Sequence, residues 1–175
     1  MGESSPQEHV VLGLIERHGP MTPYELKARV EESVDYFWPI PHAQLYRIPA
    51  RLAERGLLRE EQEESGRRRR VFHLTDRGRA ALHEWLADPD AGPAETRDPS
   101  QVKLFFADLG APENLTALAE AQLAEHRKWL ARYEALRESL SPDDVARKRL
   151  LDLGITHERS YVAYWSSLLD SQQEA

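Results

Sequence analysis

The tightest constraint in this sequence is a corner near its start. Gly19-Pro20 stops one apolar-periodic run, and Met21-Thr22-Pro23-Tyr24-Glu25-Leu26 opens the next. Thr22 suits an N-cap, Pro23 the first helical position, and Glu25 completes a capping box, while Met21 and Leu26 are spaced as a hydrophobic staple. Two helices must therefore meet across a very short turn. The first, about Glu8 to His18, places Val10, Val11, Leu14 and Ile15 on one face. The second runs to about Glu32 and turns Leu26 and Val30 inward.

The next segment, Tyr36-Phe37-Trp38-Pro39-Ile40-Pro41, cannot be helical throughout, because each proline pushes its predecessor out of the α region. It reads as an aromatic turn. A third helix follows from about His42 to Arg55, with Leu45, Ile48 and Leu52 inward and Gly56 as its stop. Pro49 inside it removes one backbone bond and should bend it, at a cost of about 3 kcal/mol if fully interior. Two extended runs, Leu57 to Glu64 and Arg68 to Thr75, flank Ser65-Gly66 and predict a β-hairpin. Thr75 or Asp76 then caps a fourth helix with Ala81, Leu82, Trp85 and Leu86 inward.

Pro89, Gly92, Pro93 and Pro99 mark residues 88–99 as a linker between a domain at 1–87 and another at 100–175. The second half reads as helix throughout. Val102, Phe105, Phe106 and Leu109 form one short apolar face. After Gly110-Ala111-Pro112 a long helix runs to about Leu140, with Leu115, Ala119, Gln122, His126, Trp129, Tyr133, Leu136 and Leu140 alternating by four and three as a heptad seam. Ser141 and Pro142 are expected to cap and open a last helix with Leu150, Gly154, His157, Tyr161, Trp165 and Leu168 along one side. Gly154 suits a close helix crossing. The fold class is mainly α: an N-terminal winged helix-turn-helix domain plus a C-terminal helical dimerisation domain.

Composition narrows the chemistry. The chain has no cysteine, which removes disulfides, thiolate zinc sites and thiol nucleophiles. No metal-ligand spacing links its seven histidines. There is no G-x-G-x-x-G, no phosphate-binding G-x-x-x-x-G-K-[ST] and no G-x-S-x-G, so no enzyme class, catalytic residue or cofactor is nominated. No apolar run reaches the roughly 18 residues of a membrane span, and nothing resembles a cleaved signal, so a cytoplasmic protein with no membrane partner is expected. The net charge is −7, yet residues 1–86 hold 13 Lys+Arg against 14 Asp+Glu, and the acidic excess lies beyond them. Arg67, Arg68, Arg69 and Arg70 are consecutive at the hairpin. Screening limits each charge to a reach of roughly 8 Å at physiological salt, so a local basic site coexists with an acidic whole.

Helix, helix, helix, hairpin, helix is an order suited to double-stranded DNA: the third helix enters the major groove and the wing follows the backbone. His42, Gln44, Tyr46, Arg47 and Arg51 are the candidates on that helix, and Arg67, Arg68, Arg69 and Arg70 on the wing. Arginine pairs with phosphate or guanine, and Gln44 suits an adenine edge. The wing arginines would supply affinity without sequence information. As plain alternatives, the arginine run is a solvated charge run and Tyr46 packs on Tyr24.

From Val11 to Leu86 the chain resembles the PadR family of bacterial transcriptional regulators. The resemblance rests on Leu12-Gly13-Leu14-Ile15, Tyr24-Glu25-Leu26, Phe37-Trp38-Pro39, Leu45-Tyr46-Arg47, Leu52 and Gly56-Leu57-Leu58, and closes with Phe72-His73-Leu74-Thr75-Asp76-Arg77-Gly78. The second half is similar to the helical C-terminal domain of the longer members through Lys103-Leu104-Phe105-Phe106 and Trp165. His42, Ala43 and Pro49 depart from the family pattern. The resemblance implies a homodimeric repressor on an inverted repeat, released by a small molecule or a stress signal.

Two copies on a two-fold axis would read two half-sites about one turn apart. The expected dimer seam comprises Leu115, Trp129, Tyr133, Leu150, Tyr161, Trp165 and Leu168. The expected effector pocket comprises Trp38, Phe105, Phe106, Trp129 and Tyr133, although such aromatic residues are more often plain core or dimer seam. His126 and His157 sit on seam positions as satisfied core or pH-sensitive groups. A protein–protein adaptor built on the same winged helix is the competing function.

Overall fold

The computed structural model describes residues 4–62, 69–93 and 97–173, and the chain divides into two compact units, Met1–Pro93 and Ala94–Ala175. The first unit is a winged helix-turn-helix: α1 (Pro6–His18), α2 (Pro23–Ser33), α3 (His42–Glu54), β1 (Leu58–Gln62), β2 (Arg70–Leu74) and α4 (Asp76–Ala87).

Helix starts follow the local chemistry. Thr22 caps α2: its hydroxyl accepts from the Glu25 backbone N–H, and the Glu25 carboxylate accepts from the Thr22 N–H at 2.8 Å. Helix α1 begins at Pro6 rather than near Glu8, because Ser5 and Glu8 form a second capping box. Its inner face adds Leu12 to Val11, Leu14 and Ile15, whereas Val10 is only half-buried. Thr75 caps α4 by accepting from the Gly78 N–H at 3.0 Å. Gly56, at φ 72°, takes the left-handed turn that leads from α3 into the wing.

Leu26, Val30, Leu45, Ile48, Leu52, Leu58, Phe72 and Leu82 join the α1 residues in one core. Burying each such side chain contributes about 1.5–3 kcal/mol. Helix α3 continues through the buried Pro49. Trp85 and Leu86, expected inward, are exposed: Leu82 reaches the core with Ala81 packed against it, and Trp85 lies flat against the His9 ring at 4.3 Å.

The antiparallel wing pairs Leu58 with Leu74, Glu60 with Phe72 and Gln62 with Arg70. A bridge between Met21 and Phe72 adds the corner after α1 to the wing: Met21 N–H donates to Phe72 O at 3.2 Å and Phe72 N–H to Met21 O at 2.9 Å. The wing is thereby fixed against the start of α2.

The second unit contains α5 (Pro99–Phe105), a 3₁₀ turn (Ala107–Leu109), α6 (Pro112–Ser139) and α7 (Val145–Gln173). Helices α6 and α7 run antiparallel, since His126 meets Glu158, Glu134 meets Arg159 and Arg137 meets Asp152. Ala119, Leu123 and Trp165 form the deepest cluster between them, with Tyr161 and Leu168 packed against it. Ser141–Asp144 is a turn rather than a helix start: Ser141 O accepts from Asp144 N–H at 3.0 Å, and α7 begins one residue later. The buried stripe of α7 is Leu151, Ile155, Glu158 and Trp165, one residue round from the expected Leu150, Gly154 and His157. Leu150 is half-buried and His157 exposed.

Candidate nucleic-acid interface

The Met21–Phe72 bridge decides where the wing's charge lies. Arg70 and Arg69 precede Phe72 closely, so they arrive beside the first turn of α2. There, Thr22, Pro23, Tyr24 and Glu25 line an open cleft of about 740 Å³ together with Tyr46 from α3 and Arg69 and Arg70 from the wing. Tyr24 and Tyr46 are both exposed large aromatics within this cleft. Three elements distant in sequence thus present one surface. Tyr24, which the sequence offers only as a packing partner of Tyr46 and not as a DNA contact, joins this surface from the first turn of α2.

The cleft is polar in a defined way. Glu25 is held below its ordinary carboxylate value, first by the Thr22 backbone N–H, then by the Thr22 hydroxyl, with smaller help from the charges of Arg69 and Arg29. Its charge is thus committed to the helix cap.

On α3, Leu45, Ile48 and Leu52 face the core, which leaves Gln44, Arg47 and Arg51 as an exposed stripe at helical spacing. Arg47 has no ion-pair partner among the described residues. His42 Nε2 stands 3.5 Å from Glu31 at the end of α2. Arg51 Nε donates to Glu8 Oε1 at 2.9 Å, and Arg55 donates to Glu8 Oε2 at 2.9 Å. On the wing, Arg70 forms a two-pronged bond to Glu60, at 2.5 and 2.6 Å, and Arg59 pairs with Glu61. The charges of Arg59 and Arg70 are therefore answered within the hairpin. Arg67 and Arg68 lie outside the described residues.

The model of the "Transcriptional regulator PadR-like family" matches residues 11–84, and "Virulence activator alpha C-term" matches residues 96–170. Together they span both units. Residues 11–84 are a PadR-like transcriptional-regulator domain. The chain is 25% identical to "Negative transcriptional regulator PadR" of Bacillus subtilis over 93% of this chain and 94% of that protein. It is similar in fold to B. subtilis PadR solved in complex with operator DNA (TM-score 0.84, 24% identity, 96% of this chain and 99% of that one). It is similar again to B. subtilis PadR in complex with p-coumaric acid (TM-score 0.83, 23% identity, 95% and 98%).

In this chain with its PadR-like domain the remaining candidates divide. Trp165, expected at a dimer seam, is 1% exposed within a single chain. Its ring is spent on α6, so it has no area to give a second copy. Tyr161 and Leu168 pack on the same internal cluster, and Leu115, Trp129, Tyr133 and Leu150 are half-buried in the same unit. The Trp129 indole donates to Glu125, with the Arg132 guanidinium over its ring. Burial, then the negative charge of Glu158, pushes the Tyr133 hydroxyl above its ordinary value.

Of the expected effector residues, Phe106 lines a concavity of the second unit, about 630 Å³, which it shares with Leu115, Leu118 and Gln122. Phe105 is exposed, Trp129 and Tyr133 lie elsewhere on α6, and Trp38 is exposed in the first unit. Val102, Phe105, Phe106 and Leu109, expected to form one short apolar face, are all exposed, with Phe105 at 76% and Leu109 at 79%. No His, Asp and Glu cluster of metal-binding size occurs among the described residues, and no helix there is long and apolar enough to cross a membrane.

Proposed function

We propose that this chain is a PadR-family homodimeric repressor that binds an inverted-repeat operator through α3 and the wing. The observation that carries the reading is the shared cleft. Tyr46 of α3, the start of α2, and Arg69 and Arg70 of the wing line one surface, next to the exposed Gln44–Arg47–Arg51 stripe. A duplex laid there would meet α3 in its major groove and the wing arginines along a phosphate strand. The operator complex and the negative-regulator description of the B. subtilis relative support the same reading.

The dimer is supported by the exposed apolar surface of α5 and the 3₁₀ turn, since a contiguous patch of this kind marks an interaction site. Release by a small molecule is supported by the p-coumaric acid complex of that relative and by the concavity around Phe106, Leu115 and Leu118.

A gel shift on the region upstream of the chain's own gene, with excess nonspecific competitor, tests the reading. A shifted species that survives competitor is expected. Loss of all shift would favour the protein–protein adaptor instead.

A further inference from the structure

Glu8 is a charged residue that the DNA reading leaves without a role. Its side chain is 4% exposed, on the first turn of α1. Each carboxylate oxygen is claimed by a different arginine of α3: Oε1 by Arg51 Nε and Oε2 by Arg55, both at 2.9 Å. Oε2 also accepts from the Ser5 N–H at 3.0 Å, and Arg55 reaches on to the Ser4 hydroxyl at 2.9 Å. An isolated carboxylate does not stay buried, because losing its hydration costs too much; this one is matched donor for acceptor.

The consequence falls on Arg51. Its side chain is 57% exposed although its Nε is anchored. Only the Nε edge of the guanidinium is taken by protein. The Nη nitrogens have no partner among the described residues, and Arg51 shares its side of α3 with Gln44 and Arg47. A long side chain that is free in solution loses rotamer freedom on binding, whereas one already fixed by its Nε loses less. A single anchored edge also sets which way the remaining donors point, as a planar fork permits and an ammonium does not.

We propose that Glu8 is a positioning residue for DNA recognition: from the inside of the domain it fixes the Arg51 guanidinium so that its outer nitrogens meet a set place on the duplex. The inference rests on the DNA-binding reading above and adds to it a specificity device. Because Glu8 carries a negative charge beneath the interface, its role is discrimination between sequences rather than bulk affinity. Removing that charge frees Arg51 to follow any phosphate.

The test uses the full-length chain and two probes: the duplex that wild type selects from a random pool, and a scrambled duplex of equal composition. The readout is the ratio of their affinities in wild type, Glu8→Gln, Arg51→Ala and the double variant. Glu8→Gln is expected to lower the ratio about twofold to tenfold, the range expected from ordering one such side chain. Scrambled-duplex affinity should stay level or rise. In the Arg51→Ala background, Glu8→Gln should change the ratio no further. An unchanged ratio in a folded Glu8→Gln protein overturns the proposal, and so does an equal drop with Arg51 already absent, which would place the effect on Arg55 or the fold. Should Glu8→Gln fail to fold, Arg51→Lys decides: it keeps the charge and loses the anchored fork, so wild-type discrimination in that variant would overturn the proposal. Failure of wild type to select any sequence would sink the DNA reading itself, a separate result.

Discussion

Gly78, in the first turn of α4, lies so close to the wing that a Cβ built on it would stand 2.0 Å from the carbonyl oxygen of Leu57. That oxygen also accepts from the Thr75 N–H and hydroxyl, which ties the end of the hairpin to the helix cap. The obstacle is backbone, so it cannot rotate away. Gly78→Ala should destabilise the first unit by about 2–3 kcal/mol, near the upper range for overpacking, despite the better helix propensity of alanine. Urea unfolding followed by Trp fluorescence checks this; a neutral or stabilising result would mean that α4 and β1 are farther apart.

Acid should weaken the first unit in two steps. Burial lowers the His9 pKa below its ordinary 6.5, so the unfolded chain takes up that proton first and stability falls as pH drops below about 6.5. Burial alone would raise the Glu8 carboxyl, but the Ser5 N–H and Arg55 bonds and the charges of Arg51 and Arg55 outweigh it and hold it below its ordinary 4.5. Its contribution is therefore full above pH 4.5 and lost as pH falls through its lowered value. Thermal melts from pH 7.5 downward should show both losses; Glu8→Gln should flatten the second and, by removing a charge that favours protonated His9, deepen the first.

The wing arginines should not be equivalent. Arg70 is clasped by Glu60, so Arg70→Ala should cost little DNA affinity and mainly loosen the hairpin. Arg69→Ala should weaken binding to all duplexes and reduce the slope of log affinity against log salt by about 0.9, the value for one phosphate contact. Titrations between low and moderate salt separate the two; a larger slope change for Arg70→Ala would reverse the assignment.

Oligomeric state should respond to the exposed face of α5. Phe105→Ser with Leu109→Ser alters two side chains that are more than three-quarters exposed, so folding should be untouched. Sedimentation should show the variant as monomer where wild type is dimer. Deletion beyond Leu140 is a poorer probe, because it would strip α7 and Trp165 from the cluster that holds α6. A variant that remains dimeric would move the interface off this face.

What could be read in advance was local. Thr22, Pro23 and Glu25 announce α2 because a cap is satisfied within four residues, and Leu45, Ile48 and Leu52 announce the inner face of α3 because helical period fixes which residues share a side. Period does not say whether anything covers a face, so Trp85 and Leu86 read as core and are exposed. Nor does it choose between adjacent stripes: Leu150 and Leu151 are equally apolar, and only packing against α6 selects Leu151. The Glu8 clasp joins residues 43 and 47 positions apart, and the Arg70–Glu60 bond depends on hairpin register. Neither is written in any short motif. Helix α1 is the exception, since Ser5-Pro6-Gln7-Glu8 announces its start as plainly as the box of α2 does.

The central claim, that α3 and the wing are presented together to one duplex, can be mapped on DNA directly because the chain has no cysteine of its own. A single cysteine at Gln44 or at Arg69, carrying a tethered iron chelate, cuts the strand it approaches. The account predicts cuts from position 44 within the major groove of each half-site. It predicts cuts from position 69 on the flanking backbone, repeated with two-fold symmetry about one helical turn away. Cutting from neither position on a duplex that the labelled protein still binds would contradict it.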